Sequence, residues 1–166
     1  MSEDTIVQDQ IRLNGQVGIA ITDGANNIIG GANNDKFWGT DGENSFWGRG
    51  GNDLLDGRGG NDKLFGEEGN DVIIGGAGAD QIDGGNGSDT AVYSGSAKGV
   101  TVNLTTGTGN GGDAEGDTLK AIENLIGSNF NDTLVGDAGS NTLDAGDGDD
   151  ILAGGAGADA LLGGKG

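Results

Sequence analysis

Apolar and polar positions along most of this chain recur with a period of nine residues. Each unit carries glycine at its first and fourth positions, Asp or Asn at its sixth and an apolar residue at its eighth, as in Gly75–Asp83. Six turn-forming residues followed by three strand-forming residues predict a tight turn and a short strand whose middle side chain points inward. The apolar eighth positions are Phe37, Phe46, Leu55, Leu64, Ile73, Ile82, Ala91, Leu134, Leu143, Leu152 and Leu161.

The glycine register distinguishes this pattern from chance. Seven glycines head successive units, and composition alone would give that run with a probability of about 4 × 10⁻⁵. A unit headed by Ile21 extends the frame backwards, and the frame returns weakly at 118–126, where Glu123 is sixth. A turn with one short strand cannot bury a face alone, so the units predict a stacked solenoid. The heading glycines are Gly30, Gly39, Gly48, Gly57, Gly66, Gly75 and Gly84.

The repeat pattern divides the chain into four expected segments. Residues 1–20 are expected to be an N-terminal flank or cap, 21–92 a first repeat block, 93–126 an irregular connecting coil or insert, and 127–166 a second block. We interpret the insert as a longer coil of the same solenoid. Its acidic residues Asp113, Glu115 and Asp117 then form a solvated loop in preference to an extra cation site. The chain stops inside another unit, which favours a fragment of a longer protein.

Composition excludes several classes of function. The 166 residues include 39 Gly and no Cys, Pro or His, so thiol chemistry, a Ser-His-Asp triad and His-ligated zinc are all excluded. Only 33% of residues are apolar, which together with the glycine content argues against an ordinary helical core. High charge with low apolar content is also typical of disorder, but the strict periodicity argues against it.

The charge balance limits the possible partners. Asp plus Glu number 27 against 8 Lys plus Arg, a formal charge of −19, which disfavours nucleic acid and anionic membranes. No apolar run approaches the length of a membrane span. The first residues lack the basic start and apolar stretch of a secretory signal. Cations and other proteins remain as expected partners.

If two units close one coil, each unit lies beneath the unit eighteen residues later, and the sixth positions form two columns of carboxylate and amide groups. One column pairs successive aspartates from Asp35 to Asp89, and the other begins at Asn26. The columns read Asp35, Asp53, Asp71, Asp89 and Asn26, Asn44, Asp62, Asp80; in the second block Asp132 pairs with Asp150 and Asn141 with Asp159. We expect the Asn26 end to bind weakly or not at all.

Two units, Gly75–Asp83 and Gly154–Leu162, match Gly-Gly-x-Gly-x-Asp-x-apolar-x at every specified position. This pattern resembles the RTX, or hemolysin-type, calcium-binding repeat, over about residues 21–92 and 118–166. The resemblance implies an all-β fold, a right-handed parallel β-roll. It also implies about five to seven Ca²⁺ ions between turns of adjacent coils, which would change the charge from −19 to between −9 and −5.

The resemblance further implies which residues ligate calcium. Side-chain ligands would be Asp35, Asp53, Asp71, Asp89, Asp62, Asp80, Asn44, Asp132, Asp150, Asn141 and Asp159. Backbone carbonyl ligands would be Gly57, Gly60, Gly66, Gly69, Gly75, Gly76, Gly78, Gly84, Gly85 and Gly87.

By the same resemblance, the expected function is a non-catalytic module that folds on calcium outside a bacterial cell. It would support secretion of a larger protein by type I machinery, with a neighbouring domain of that protein as a possible partner. The alternative is a calcium-rigidified spacer of an adhesin or surface-layer protein. Either function places the chain outside the cell or at its surface.

Other functions fit the sequence less well. Paired carboxylates can cleave glycosidic bonds, but their strict period explains them as ligands and leaves no second constellation. The regular outward Thr row of ice-binding rolls is absent, and eight scattered basic residues do not form a patch for an acidic polysaccharide. Outward Trp38, Trp47 and Phe65 form either a docking patch or, as we prefer, a surface covered by the apolar segment Ile6–Ala20.

Overall fold

The chain folds as a stack of coils built from two facing β-sheets. The computed structural model describes residues 17–20 and 27–166. Most of the predicted flank and the start of the unit headed by Ile21, including Asn26, lie outside the described residues. Within the described part, the regular elements are seventeen strands and one short 3₁₀ turn, Gly112–Ala114. No described helix is long or apolar enough to cross a membrane.

The first sheet has eight strands, and all of its neighbouring strands run parallel. Their register advances by eighteen residues for each coil, with Leu55 opposite Phe37 and Ile73 opposite Leu55, except across the connecting coil, where Leu125 lies opposite Ala91. In spatial order the strands are β1 (Val17–Ala20), β3 (Asp35–Trp38), β5 (Leu54–Asp56), β7 (Val72–Ile74), β9 (Thr90–Val92), β13 (Asn124–Ile126), β15 (Thr142–Asp144) and β17 (Ala160–Leu162).

The second sheet has nine strands and includes the connecting coil. Its order is β16 (Ile151–Ala153), β14 (Thr133–Val135), β10 (Thr101–Asn103), β11 (Thr108–Asn110), β12 (Thr118–Lys120), β8 (Gln81–Asn86), β6 (Lys63–Glu68), β4 (Ser45–Gly50) and β2 (Asn27–Ile29). The neighbours are parallel except that β11 runs antiparallel to both β10 and β12. Because β12 pairs with β8 and β10 pairs with β14, the insert links the two repeat blocks within one sheet.

The core is a single file of eighth-position side chains between the sheets. Phe37, Phe46 and Leu55 are fully buried, and the rings of Phe37 and Phe46 meet edge to face at 5.6 Å. The connecting coil adds Tyr93 and other buried residues to the same cluster. Leu161 is 47% exposed because it lies on β17, an edge strand of its sheet. The predicted all-β parallel solenoid is confirmed.

The predicted outward aromatic row is present on the second sheet. Ile29, Trp47 and Phe65 lie side by side in register, and the rings of Trp47 and Phe65 stack at 5.7 Å. Trp38 lies on the first sheet, next to Asp56. The proposed cover, Ile6–Ala20, lies mostly outside the described residues, so the covering of this row stays a prediction.

Glu67 is strained at the second position of its unit. Its φ of 76° is left-handed, a conformation that costs an L-residue roughly 1–2 kcal/mol. We expect Glu67→Gly to raise the free energy of unfolding of the calcium-loaded protein by about 1 kcal/mol, measured by urea titration. Glu68→Gly is the matched control, because Gly in a strand lowers stability by about 0.5–1 kcal/mol. Equal effects of the two substitutions would contradict the strain argument.

Candidate functional site

The sixth-position side chains form two ladders that join successive coils. The backbone N–H of Asp35 donates to Asp53 Oδ1 at 2.7 Å, and that of Asp53 donates to Asp71 Oδ1 at 2.7 Å. The predicted stacking of each unit on the unit eighteen residues later is therefore confirmed. Equivalent bonds join Asn44 to Asp62, Asp62 to Asp80, Asp71 to Asp89, Asp132 to Asp150 and Asn141 to Asp159.

The ladders continue through the connecting coil. The N–H of Asp80 donates to Asp117 Oδ1, and the N–H of Asp89 donates to Glu123 Oε2, both at 2.8 Å. Asp117 is only 2% exposed, so its expected place in a solvated loop was wrong, whereas Glu115 is exposed. The available signal was the sequence Asp117–Lys120, which repeats the sixth to ninth positions of a unit. In the structure, Thr118–Lys120 pairs in register with β8, as such a unit would.

Six carboxylate oxygens of these ladders are buried without a partner. In each case Oδ1 accepts a backbone N–H of the preceding coil, while Oδ2 has no hydrogen-bond donor in the described structure. Buried polar atoms are almost always paired, so each orphan oxygen requires an explanation. The six atoms are Oδ2 of Asp53, Asp62, Asp71, Asp80, Asp89 and Asp150.

Five of the six orphan oxygens lie beside a first-position glycine at which a Cβ would overlap them, whereas the sixth, Asp150 Oδ2, has Ala145 at that position. A Cβ on Gly66 would overlap Asp71 Oδ2 and lie 2.6 Å from the carbonyl oxygen of Gly84 in the next coil. A Cβ on Gly48 would meet Asp53 Oδ2 in the same way, with the Gly66 carbonyl oxygen at 2.7 Å. The first-position glycine thus preserves a space that a carboxylate and a carbonyl of the adjacent coil both border.

This donor set fits a hard divalent cation. Carboxylate and backbone carbonyl oxygens are the ligands that Ca²⁺ prefers. The described residues include no cluster of three or more acidic side chains able to hold a metal, so main-chain oxygens would supply the rest of the ligands. The predicted carbonyls of Gly57, Gly66, Gly75 and Gly84 are those that lie beside the first-position glycine of the preceding coil.

The fourth-position carbonyls are placed differently. The carbonyl of Gly60 approaches Gly78, and the carbonyl of Gly69 approaches Gly87, so these contacts join fourth positions of successive coils. Their ligand role stays a prediction. The same holds for the carbonyls of Gly76, Gly78, Gly85 and Gly87.

The comparison with family models agrees with this geometry. The model of the RTX calcium-binding nonapeptide repeat (4 copies) matches residues 21–55, 56–91 and 126–166, more than half of the chain. The chain belongs to the RTX calcium-binding repeat family. RTX repeats bind calcium, are typical of secreted bacterial proteins, and form a structural module. No curated protein matches the sequence.

Burial raises the pKa of the RTX carboxyls in the absence of a cation. Loss of solvent brings the pKa of Asp53, Asp71 and Asp80 to about 6 and that of Asp62 to about 7, only partly offset by the backbone N–H that each accepts. Asp89 shifts in the same direction for the same reason. A cation beside the carboxylates would reverse these shifts.

We call five other sixth-position side chains capped, because a hydrogen-bond donor of the chain itself occupies the oxygen that would otherwise lack a partner. Asp35 Oδ2 accepts the N–H of Gly31 at 2.8 Å, and Asp117 Oδ2 accepts the hydroxyl of Tyr93 at 2.9 Å. Asn44 accepts the N–H of Thr40, Asn141 accepts that of Asp137, and Asp132 accepts both the N–H and the hydroxyl of Ser128.

The sequence reasoning missed an asparagine ladder at the fifth position. Asn34 Oδ1 accepts the N–H of Asn52, and Asn52 Oδ1 accepts that of Asn70, at 2.8 and 2.9 Å. These bonds run along the turn surface beside the carboxylate ladders and add a second link between coils. The recurrence of Asn at 34, 52, 61, 70 and 131 was the available signal.

Proposed function

We propose that this RTX chain is a calcium-driven folding module, unfolded where calcium is scarce and folded outside the cell. The observation that supports the proposal most directly is the set of six buried, unpartnered Oδ2 atoms. Burying ionised carboxylates without a counter-charge is costly, so a fold that lines them up favours a bound cation. The formal charge of −19 adds a general repulsion that divalent ions relieve.

The orphan carboxylates would hold the ions, together with first-position carbonyls of the next coil. Asp53 would act with Gly66, Asp62 with Gly75, and Asp71 with Gly84. Bound calcium would supply the positive charge that these oxygens lack. The chain's own contribution is to fix the oxygens at the turns, because each carboxylate is oriented by the N–H that donates to its Oδ1.

In this proposal the module has no catalytic role. Export of an unfolded chain by a type I secretion system, followed by folding at extracellular calcium, would suit a protein whose metal sites arise only on folding. Extracellular calcium modules commonly bind with affinities near 10⁻⁴–10⁻³ M. The test is isothermal titration calorimetry with calcium and with magnesium. Saturable calcium binding that magnesium does not reproduce supports the proposal; absence of calcium binding contradicts it.

The second candidate function is a calcium-stiffened spacer. Both sheets run through the whole described stack, so each coil contacts only its neighbours and stiffness would pass along one axis. A spacer needs no unfolded state, whereas a folding module does. Far-UV circular dichroism at submicromolar calcium separates the two, because β-structure retained there favours the spacer.

Calcium binding should weaken as pH falls. Below a pKa of about 6 to 7, protons occupy the carboxyl groups that calcium needs. We therefore expect the calcium concentration that half-fills each site to rise about tenfold at one pH unit below that pKa. The metal-free fold should respond in the opposite sense, because a pKa raised on folding stabilises the folded state at low pH and loses that effect as pH rises through about 6 to 7. Calcium titrations near pH 5 and pH 7.5 check this. Identical midpoints would contradict it.

A further inference from the structure

We infer that the chain's own hydrogen-bond donors decide which of the described turns take calcium: the six turns with a buried, uncapped Oδ2 bind an ion, and the five capped turns bind none. The inference rests on the proposed function and departs from the sequence-based ligand set. That set included Asp35, Asn44, Asp132 and Asn141, whose free oxygens the chain itself caps.

The backbone at the second position separates the two kinds of turn. In uncapped turns the second residue has a left-handed φ, as in Arg49 (75°), Arg58 (71°) and Gly85 (103°). Its N–H does not reach the sixth side chain, and Oδ2 stays without a donor. The other turns with a buried orphan Oδ2 have Glu67, Gly76 and Gly146 at this position, with φ of 76°, 90° and 89°. The turn of Asp159 has the same form at Gly155 (94°), but its carboxylate is only partly buried.

Four of the capped turns have the other backbone form. Gly31, Thr40, Ser128 and Asp137 are not among the described residues with positive φ, and the N–H of each donates to the sixth side chain four residues later. The distances run from 2.6 to 2.9 Å. Two of these four turns carry Asn at the sixth position, an amide with no charge to attract a cation.

Capping and calcium binding exclude each other for a physical reason. An N–H or O–H that donates to Oδ2 places a partial positive charge on the lone pairs that a cation would use. At Asp132 three donors share the two oxygens, since Val100 N–H and Ser128 Oγ reach Oδ1 and Ser128 N–H reaches Oδ2. This carboxylate is fully hydrogen-bonded without metal.

Tyr93 provides the fifth cap by a different route. Its side chain is 2% exposed, and its hydroxyl donates to Asp117 Oδ2. The equivalent Oδ2 atoms of Asp80 and Asp89, in the adjacent ladder positions, have no donor. The hydroxyl therefore takes the place that an ion has elsewhere. As a result, the connecting coil and the first coil of the second block are held together by side-chain and backbone donors, and calcium-dependent coils lie on either side.

The test counts calcium ions by native mass spectrometry of the full chain and four Asp→Asn variants in excess calcium. The variants form two matched pairs, Asp71→Asn against Asp35→Asn and Asp150→Asn against Asp132→Asn. Asn suits a capped turn, because Asn44 and Asn141 already accept the same N–H. We expect six ions on the wild type, at least one fewer on Asp71→Asn and Asp150→Asn, and six on Asp35→Asn and Asp132→Asn.

An ion lost from Asp35→Asn or Asp132→Asn to the same extent as from its partner would overturn the inference while leaving the proposed function intact. A wild type without bound calcium would overturn both. If Asp71→Asn fails to fold, the pair in the second block decides, since Asp150 lies near the end of the stack where fewer coils depend on it.

Discussion

Removal of calcium with EDTA at neutral pH is expected to expand the chain to the dimensions of an unfolded protein. Six sites at calcium tenfold above Kd contribute about 1.4 kcal/mol each, about 8 kcal/mol in all. That is of the order of the whole stability of a typical domain, ~5–15 kcal/mol. Small-angle X-ray scattering should show the radius of gyration rising from about 15 Å towards about 43 Å.

Addition of excess calcium should reverse the expansion, and magnesium should not, because magnesium needs a closer, more regular set of ligands. A radius of gyration that stays near its folded value in EDTA would show that the stack holds without metal. The carboxylate ladders would then need another explanation.

Gly66→Ala is expected to damage both the stability of the first block and its calcium binding. The new methyl group would occupy the position of Asp71 Oδ2 and press on the carbonyl of Gly84. Overpacking of this kind costs about 3 kcal/mol, and the displaced carboxylate would also lose its ion. We expect a clear fall in the urea midpoint of the calcium-loaded protein and a weaker calcium affinity.

Gly95→Ala is the matched control, because a Cβ at Gly95 meets no atom within 4 Å. It should leave both stability and calcium affinity close to those of the wild type. Equal losses from Gly66→Ala and Gly95→Ala would show that glycine flexibility, and not the cradle, is what the first position requires.

The repeat made most of the fold predictable. A nine-residue period with one apolar position predicts the strand, its inward side chain and the stacking of Phe37 on Leu55, since each follows from local chemistry and an eighteen-residue coil. The sixth-position ladders were predictable for the same reason. The family resemblance added calcium, which the residues alone indicate only as a hard cation.

The connecting coil was less predictable because its pairing depends on contacts distant in sequence. The antiparallel β11 and the burial of Asp117 arise from a loop that folds back beside β8, and no local period encodes such a return. The capping of Asp35 by Gly31 could not be read from the sequence either, since glycine adopts both backbone forms at the second position. Only the φ angles of the folded turns separate Gly31 from Gly76.

The most direct test of calcium-coupled folding is amide hydrogen exchange at the ladders, with and without calcium. The N–H groups of Asp53, Asp62 and Asp71 each donate to a carboxylate of the next coil, so they report on the stack at the sites themselves. Slow exchange in calcium and fast exchange in EDTA at neutral pH is the predicted result. Equal protection of these amides in both conditions would contradict the account.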